Sequence, residues 1–364
     1  MTMEKIYKIF TINPGSTSTK IALFENDRKV FGVTLDHDAS ELAGFASLSE
    51  QLPYRREKIL RALAEQELTL EKTDAFVGRG GGLAPLVSGT YIINDILLKH
   101  ARECFAGVHP ATLGAQLAAS FAEEFGGSRY VVNPPDVDEF CELARITGIR
   151  GVYRESRIHA LNQKEIAIRY ASGTGKRYED LNLIVAHIGG GISVTAHKKG
   201  RMIDSNDILN GDGPFAPTRC GSIPVSALLK LDPAEVKPKI TKTGGLVDHL
   251  GTSDTREVKR RIEAGDKYAK LIYDAMIYQI AKEIGSMAAV LRGEIDAIIF
   301  TGGISNDEYL TGELKGYVGF MAPVIVMPGE FEMEALAAGA LRVLRGEEPA
   351  KEYTGIPVWT GFDL

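Results

Sequence analysis

An internal repeat is the strongest constraint on how this chain folds. Residues 7–33, YKIFTINPGSTSTKIALFENDRKVFGV, and residues 181–207, LNLIVAHIGGGISVTAHKKGRMIDSND, follow one plan. Each reads as an apolar strand, a small polar turn, a second strand, a charged turn and a third strand. Self-similarity on this scale means two copies of one structural unit, here two duplicated α/β domains. The first turn, NPGSTST at 13–19, is followed by Lys20 and invites comparison with a P-loop. That motif needs a glycine before the lysine, a hydroxyl residue after it and a helix starting there. Thr19 precedes Lys20, Ile21 follows, and the next residues alternate as a strand, so the turn is a hairpin tip.

The rest of the pattern alternates helix and strand. Helices are predicted over 52–66, 109–125, 155–171, 265–293 and 332–346, and strands over 74–80, 129–133, 296–303 and 323–328. The helix over 265–293 keeps apolar spacing at Tyr268, Leu271, Ile272, Ala275, Met276, Ile280, Ile284, Met287 and Leu291, and is expected in a core. With no low-complexity linker, the domain boundary is expected as a packed hinge near residue 150. SGTGKRYED (172–180) carries a Gly-Thr-Gly-Lys string, but it follows a helix and precedes a strand, the reverse of a phosphate loop's order.

Charge and composition narrow the function classes. A net charge of −6 with interspersed signs offers no basic face to nucleic acid or an anionic membrane. The cysteines Cys104, Cys141 and Cys220 lie too far apart for a zinc site or a disulfide framework and fit reduced thiols. No signal-peptide layout opens the chain, and no apolar run approaches the roughly 20 residues of a membrane helix. A cytoplasmic protein is expected.

Three small-residue turns each follow a strand: NPGSTST, HIGGGIS (187–193) and TGGIS (301–305). Glycines there let backbone N–H groups approach an anion, and hydroxyls add donors without bulk. Taken singly, each is an ordinary turn. Together, in this order on a duplicated chain, they resemble the acetate and butyrate kinase family, within the wider actin, sugar kinase and heat-shock ATPase (ribonuclease H-like) fold. Asn13, Gly15, Ser16, Ser18 and Lys20 match the family's opening signature, HIGGGIS its second phosphate loop, and ESRIHALNQKEIA looks more like the butyrate branch.

The resemblance implies two domains facing across a nucleotide cleft: 1–150 plus 333–364 on the acyl-substrate side, with the final helix returning to it, and 151–332 on the nucleotide side. It implies ATP and Mg2+ as cofactors, with ATP phosphates between NPGSTST (Asn13, Gly15, Ser16, Thr17, Ser18, Lys20) and HIGGGIS (His187, Gly189, Gly190, Gly191). Adenosine would lie by Gly302, Gly303 and Ile304. The expected substrates are ATP or ADP and a short-chain carboxylate or its acyl phosphate, butyrate or a branched acid first. Acetate or propionate is the alternative, and a nucleotide-dependent switch of the actin or heat-shock type is the rival from another class. A homodimer or larger homo-oligomer is expected from the same likeness.

The residues agree with a carboxylate acceptor. Such an acid, of intrinsic pKa about 4 to 5, is already anionic at neutral pH and needs positive charge more than a base. Arg79 in FVGRGGGLAPLV stands beside glycines that would admit a small acid, with Leu83, Pro85 and Val87 as candidate acyl-pocket residues; a solvated strand-end arginine is the plain alternative. Arg219 in APTRCGSIP matches the family arginine that stabilises the transferring phosphoryl group, against a loop salt bridge. His159, predicted inside the helix over 155–171, is assigned by the likeness to donate to that group, although a lone helix histidine is ordinarily packed. His187 either contacts phosphate or closes its strand. Glu332 and Glu334, at the start of the last helix, are the metal candidates that the resemblance implies, Glu334 being preferred; helix N-terminal acids are also favoured by the dipole alone.

One position departs from the family pattern. Where relatives carry an aspartate, this chain has Asn133 in VVNPPDVDEF. Asp136 and Asp138 are the nearest replacements, Asp138 being a further metal candidate; alternatively they start a helix over DEFCELARI with Asp138 as N-cap.

Overall fold

In the computed structural model, which describes residues 5–362, the first repeat is an antiparallel meander of β1 (Lys8–Pro14), β2 (Ser18–Glu25) and β3 (Arg28–Asp36). β1 is buried along almost all its length and pairs in parallel with β4 (Ala75–Gly78). That run of Ile9, Phe10, Ile12 suits a strand covered on both faces. β3 alternates exposed and half-buried residues, as an edge strand does. β5 (Thr90–Ile92) and β6 (Ser128–Val132) complete this part of the sheet in the order β5-β6-β4-β1-β2-β3. Helix α1 (Gln51–Ala64) buries Gln51, Arg55, Ile59 and Leu63, every fourth residue. Helix α2 (Thr112–Phe125) packs Phe121 against Phe10 and Phe76 of β1 and β4, with ring centroids 5.8 and 6.1 Å away.

The second repeat forms β7 (Asn182–Ile188), β8 (Ile192–Lys198) and β9 (Arg201–Ser205), joined by β10 (Ala297–Thr301) and β11 (Val324–Val326) in the order β11-β10-β7-β8-β9. That order matches β6-β4-β1-β2-β3 strand for strand, with β10 and β11 parallel as β4 and β6 are. Even the irregularity recurs: the register shifts at Leu23/Phe24 in the first meander and at Ala196/His197 in the second. Helix α3 (Ala160–Gly173) precedes this sheet and α4 (Lys267–Val290) lies on it. Along α4, Ile272, Met276, Ile280, Ile284 and Met287 are buried as expected, but Tyr268 and Leu271 are half or more exposed. They sit in the helix's first two turns, outside the buried stripe. The chain ends with α5 (Glu332–Leu344) and β12 (Lys351–Glu352), which pairs with β5.

Two compact units result, one running to Asp138 and resuming at Phe331, the other Glu139–Glu330. The division falls before the expected residue 150. The region between differs from expectation for a definable reason. Leu86 N–H donates to Asp136 O, and Asp138 N–H to Leu86 O, so 136–138 is held as an extended bridge. The helix over DEFCELARI shrinks to Glu142–Arg145, and Cys141, not Asp138, holds its N-cap position.

Glycine sets how closely α2 meets β4. A Cβ on Gly78 would lie 2.0 Å from Gly114 O, and one on Gly114 would lie 2.1 Å from Arg79 O. Backbone cannot yield by that much, so Gly78→Ala should destabilise the fold by about 1–3 kcal/mol or more. Thermal unfolding followed by circular dichroism checks this; an unchanged midpoint would refute the close approach.

Candidate functional site

The NPGSTST turn is organised from below by a residue that the sequence reading passed over. Arg55 of α1 is fully buried. Its Nη1 donates to Gly15 O at 3.0 Å, Ser18 O at 3.1 Å and Thr19 Oγ1 at 3.0 Å, and its Nη2 to Ser16 O at 3.3 Å. Both Nε and Nη2 reach Gln51 Oε1. Burial lowers its pKa, and every acceptor it meets is neutral. The turn's carbonyls are thus drawn inward, and Ser16 and Thr17 stand exposed at the tip. Beneath it, His37 Nε2 lies 2.7 Å from Thr19 Oγ1, and burial, then Arg55, lower its pKa to about 4. Spacing carried the signal: Arg55 sits four residues from both Gln51 and Ile59, on the apolar stripe of α1.

Beside this turn, three sequence-predicted residues meet. Glu332, the first residue of α5, accepts from Arg79 Nη1 at 2.6 Å and from Asn13 Nδ2 at 2.7 Å, and Arg79 also reaches Asn13 Oδ1 at 3.4 Å. The Arg79 and Glu332 side chains are 25% and 24% exposed, so the pair is reachable from solvent. Glu334 is elsewhere, its carboxylate 2.8 Å from Lys29 Nζ. His109, just before α2, is a residue the sequence reading missed: burial, then the Arg79 guanidinium, lower its pKa. The only cue was a His-Pro pair ahead of a helix.

The glycines after Arg79 serve packing. A Cβ on Gly80 would lie 2.4 Å from Val131 Cγ1, and one on Gly81 3.1 Å from Ala111 Cβ. Leu83 is buried, Val87 is 38% exposed, and Pro85 O accepts from Val358 N–H. Asn133 has a left-handed backbone (φ 38°), which asparagine tolerates better than most residues. Its Oδ1 accepts from Gly89 N–H at 2.7 Å, and its own N–H donates to Gly89 O at 3.0 Å. The amide therefore clasps the loop before β5. Asp136 and Asp138 are buried nearby.

In the second unit, HIGGGIS is built around His187, at the end of β7, and Gly191, just before β8. A Cβ on Gly191 would fall 2.2 Å from Arg219 Nη1, so the guanidinium lies flat against the turn. Arg219 Nη1 donates to Ile208 O at 2.8 Å, its Nε is buried with no partner among the described residues, and burial lowers its pKa. Among the described residues Arg219 makes no loop salt bridge, the plain alternative for it; its bond is to a backbone carbonyl. Gly190 and Gly303 differ from Gly191: both are exposed, and a Cβ on either would meet nothing within 4 Å. The folded chain itself makes no demand for glycine there. Gly302 is required by the fold, since its Cβ would strike Ile188 O at 2.4 Å; Ile304 is the second residue of a short turn over Gly303–Asn306.

His159 is at the N-cap of α3, not inside a helix. The residues before it are engaged elsewhere: Arg157 O accepts from Ile208 N–H, and Arg154 donates to Ala144 O, Asp204, Ser205 O and Asp212. Its ring stacks on His187 at 4.2 Å between centroids, and its Nδ1 lies 2.9 Å from Ser193 Oγ. His187 Nδ1 is 3.0 Å from Asn162 Oδ1. Behind them His197 is fully buried, and burial, then Lys164, lower its pKa to about 3.

Among the described residues no group of three or more metal-ligating side chains assembles, and no helix is long and apolar enough to cross a membrane. Chemically, the first unit offers a charged pair beside a turn with exposed hydroxyls. The second offers an arginine with an unused buried donor, two stacked histidines and glycine turns with open space.

The profile of the acetokinase family matches residues 148–314. Over 353 residues, 95% of this chain and 99% of the relative, the sequence is 47% identical to butyrate kinase 2 of Clostridium acetobutylicum. Among solved structures, an acetate kinase from Porphyromonas gingivalis superposes with a TM-score of 0.77 at 21% identity, covering 93% of this chain and all of that one. A propionate kinase from Francisella tularensis gives 0.71 at 20% identity, covering 92% and 98%. These two likenesses establish the fold.

The state of His197 yields a pH dependence. With a folded pKa near 3 against 6.5 unfolded, the unfolded chain binds the proton first. The stability this group contributes is complete above pH 6.5 and is lost as pH falls toward 3. His197→Gln should therefore lose less apparent Tm than wild type between pH 6.5 and 4.5; parallel profiles would contradict the buried neutral imidazole.

Proposed function

Because the chain belongs to the acetokinase family, we propose that it catalyses reversible phosphoryl transfer between ATP and a short-chain carboxylic acid, butyrate or a branched relative first, giving the acyl phosphate and ADP. The near-full-length likeness to a butyrate kinase carries this reading. In the forward direction a carboxylate oxygen forms a bond to the γ-phosphorus as the bond to the β–γ bridging oxygen breaks, and ADP leaves with that electron pair. No proton need be removed from the acid, so the protein's task is to gather anions and stabilise the charge spreading over the transferring group.

The geometry supports a role for each half. Arg79, held by Glu332 and Asn13, receives the acid's carboxylate. The turns NPGSTST and HIGGGIS take the ATP phosphates: Arg219 has an unused buried donor for an anion, and Gly190 leaves room for close approach. Gly303, equally open, and Ile304 lie by the adenosine. His159 donates to the transferring group. Glu332, in place of Glu334, would hold Mg2+, which with a nucleotide needs only one or two carboxylates and otherwise keeps water and phosphate oxygens. Bound there it would neutralise phosphate charge. Transfer requires the two units to bring these groups onto one ATP, and the protein works as a homodimer or larger homo-oligomer.

A coupled assay of ADP formation over acids of two to six carbons tests the reaction and ranks acceptors. The greatest kcat/KM should fall on butyrate or a branched acid; a maximum at acetate or propionate would overturn the acid assignment. Arg79→Ala should raise the acid's KM about 10- to 100-fold, the value of a lost charge-assisted contact, and leave ATP binding nearly intact. An unchanged acid KM would remove Arg79 from the acceptor site. Gly190→Ala should leave the free protein's thermal midpoint where it is while weakening ATP severalfold by calorimetry. Equal ATP affinity would place the phosphates away from that turn.

A further inference from the structure

A buried chain of hydrogen bonds ends on His159, and its direction follows from the chemistry of its members. Ser193 O is a carbonyl and can only accept. The Gln163 atom 3.1 Å from it is therefore the amide nitrogen, which also lies 3.0 Å from Ser193 Oγ. Gln163 Oε1 then faces His197 Nε2 at 3.1 Å, and that nitrogen must carry the proton. His197, neutral by its burial, is left with an unprotonated Nδ1 that accepts from the Tyr178 hydroxyl at 2.6 Å. At the other end Ser193 Oγ receives the Gln163 N–H, which can only donate, and among the described residues the one acceptor within reach of the serine's own hydrogen is His159 Nδ1, 2.9 Å away. A neutral His159 that accepts at Nδ1 carries its proton at Nε2. Gln163, Ser193 and His197 are each fully buried, so water does not compete for these bonds.

We infer that Ser193 and Gln163, locked in turn by His197 and Tyr178, are positioning residues that hold His159 as its Nε2–H tautomer, a hydrogen-bond donor and not a base. This rests on the proposed phosphotransfer, in which the acceptor has no proton to give up. A bare Nε2 would set a lone pair against anionic oxygens, whereas Nε2–H stabilises the charge that develops on them. Ser193, Gln163, His197 and Tyr178 do not touch the reacting atoms; they act only through His159.

Nitrogen-15 spectra of histidine-labelled protein at neutral pH test the inference, with His159 assigned by the signal lost in His159→Gln. Wild type should show a proton on Nε2 and a bare Nδ1. Ser193→Ala should lose that preference and lower kcat roughly tenfold or more, with both KM values little changed. Ser193→Thr, which keeps the hydroxyl, should restore both. A wild-type His159 protonated on Nδ1, or on both nitrogens, overturns the inference. So does a Ser193→Ala protein that keeps the Nε2–H tautomer and full kcat. The spectrum needs no substrate, so it decides the tautomer even if no acid in the panel is phosphorylated.

Discussion

The NPGSTST turn takes its shape from the guanidinium of Arg55. Burying an arginine is costly unless its donors are all used, and here carbonyls, a hydroxyl and an amide use them. None of those acceptors carries a charge, so the bonds are satisfied while the charge is not neutralised. Two consequences follow. The carbonyl oxygens of Gly15, Ser16 and Ser18 are committed to the inside of the turn. A positive charge also remains under a tip that presents Ser16 and Thr17 to solvent. On the proposed reading, that is the field an ATP phosphate chain would meet. Lysine could not replace this arginine, since one ammonium cannot serve acceptors spread over both edges of a planar fork.

The turn glycines serve two different ends, and the space around each separates them. Gly78, Gly80, Gly114, Gly191 and Gly302 are where other protein atoms already stand. Gly190 and Gly303 are exposed, with nothing near. These two lie in turns that follow the central strands of the second sheet, where the folded chain leaves open space. The Glu332 carboxylate has a similar place in the first unit, since it ties α5 to Asn13 and Arg79 at the ends of β1 and β4.

The repeat made most of the fold legible. Hairpins, central parallel strands and the long helix follow from apolar period, and the match of strand order was implicit in two similar stretches of sequence. What the sequence hid was long-range. Nothing local says that Arg157 is bonded to Ile208 or Asp136 to Leu86, yet these bonds start α3 at Ala160 and leave only a short helix after Cys141. The glycines after Arg79 looked like room for a ligand because their neighbours Val131 and Ala111 are remote in sequence. Asn133, read as a missing carboxylate, has a use of its own in the left-handed backbone that clasps Gly89. Arg55 was readable from its spacing along α1, but charge argued against burial, and only the carbonyls it serves resolve that conflict.

In the proposed transfer an acid's own oxygen attacks the γ-phosphorus of ATP. Phosphorus-31 spectra of the protein with ATP, Mg2+ and butyrate labelled with oxygen-18 in the carboxyl group test it directly. An acyl phosphate signal should rise with ADP, shifted by oxygen-18 in the bond to phosphorus. Inorganic phosphate alone, or an acyl phosphate with no label in that bond, would contradict it.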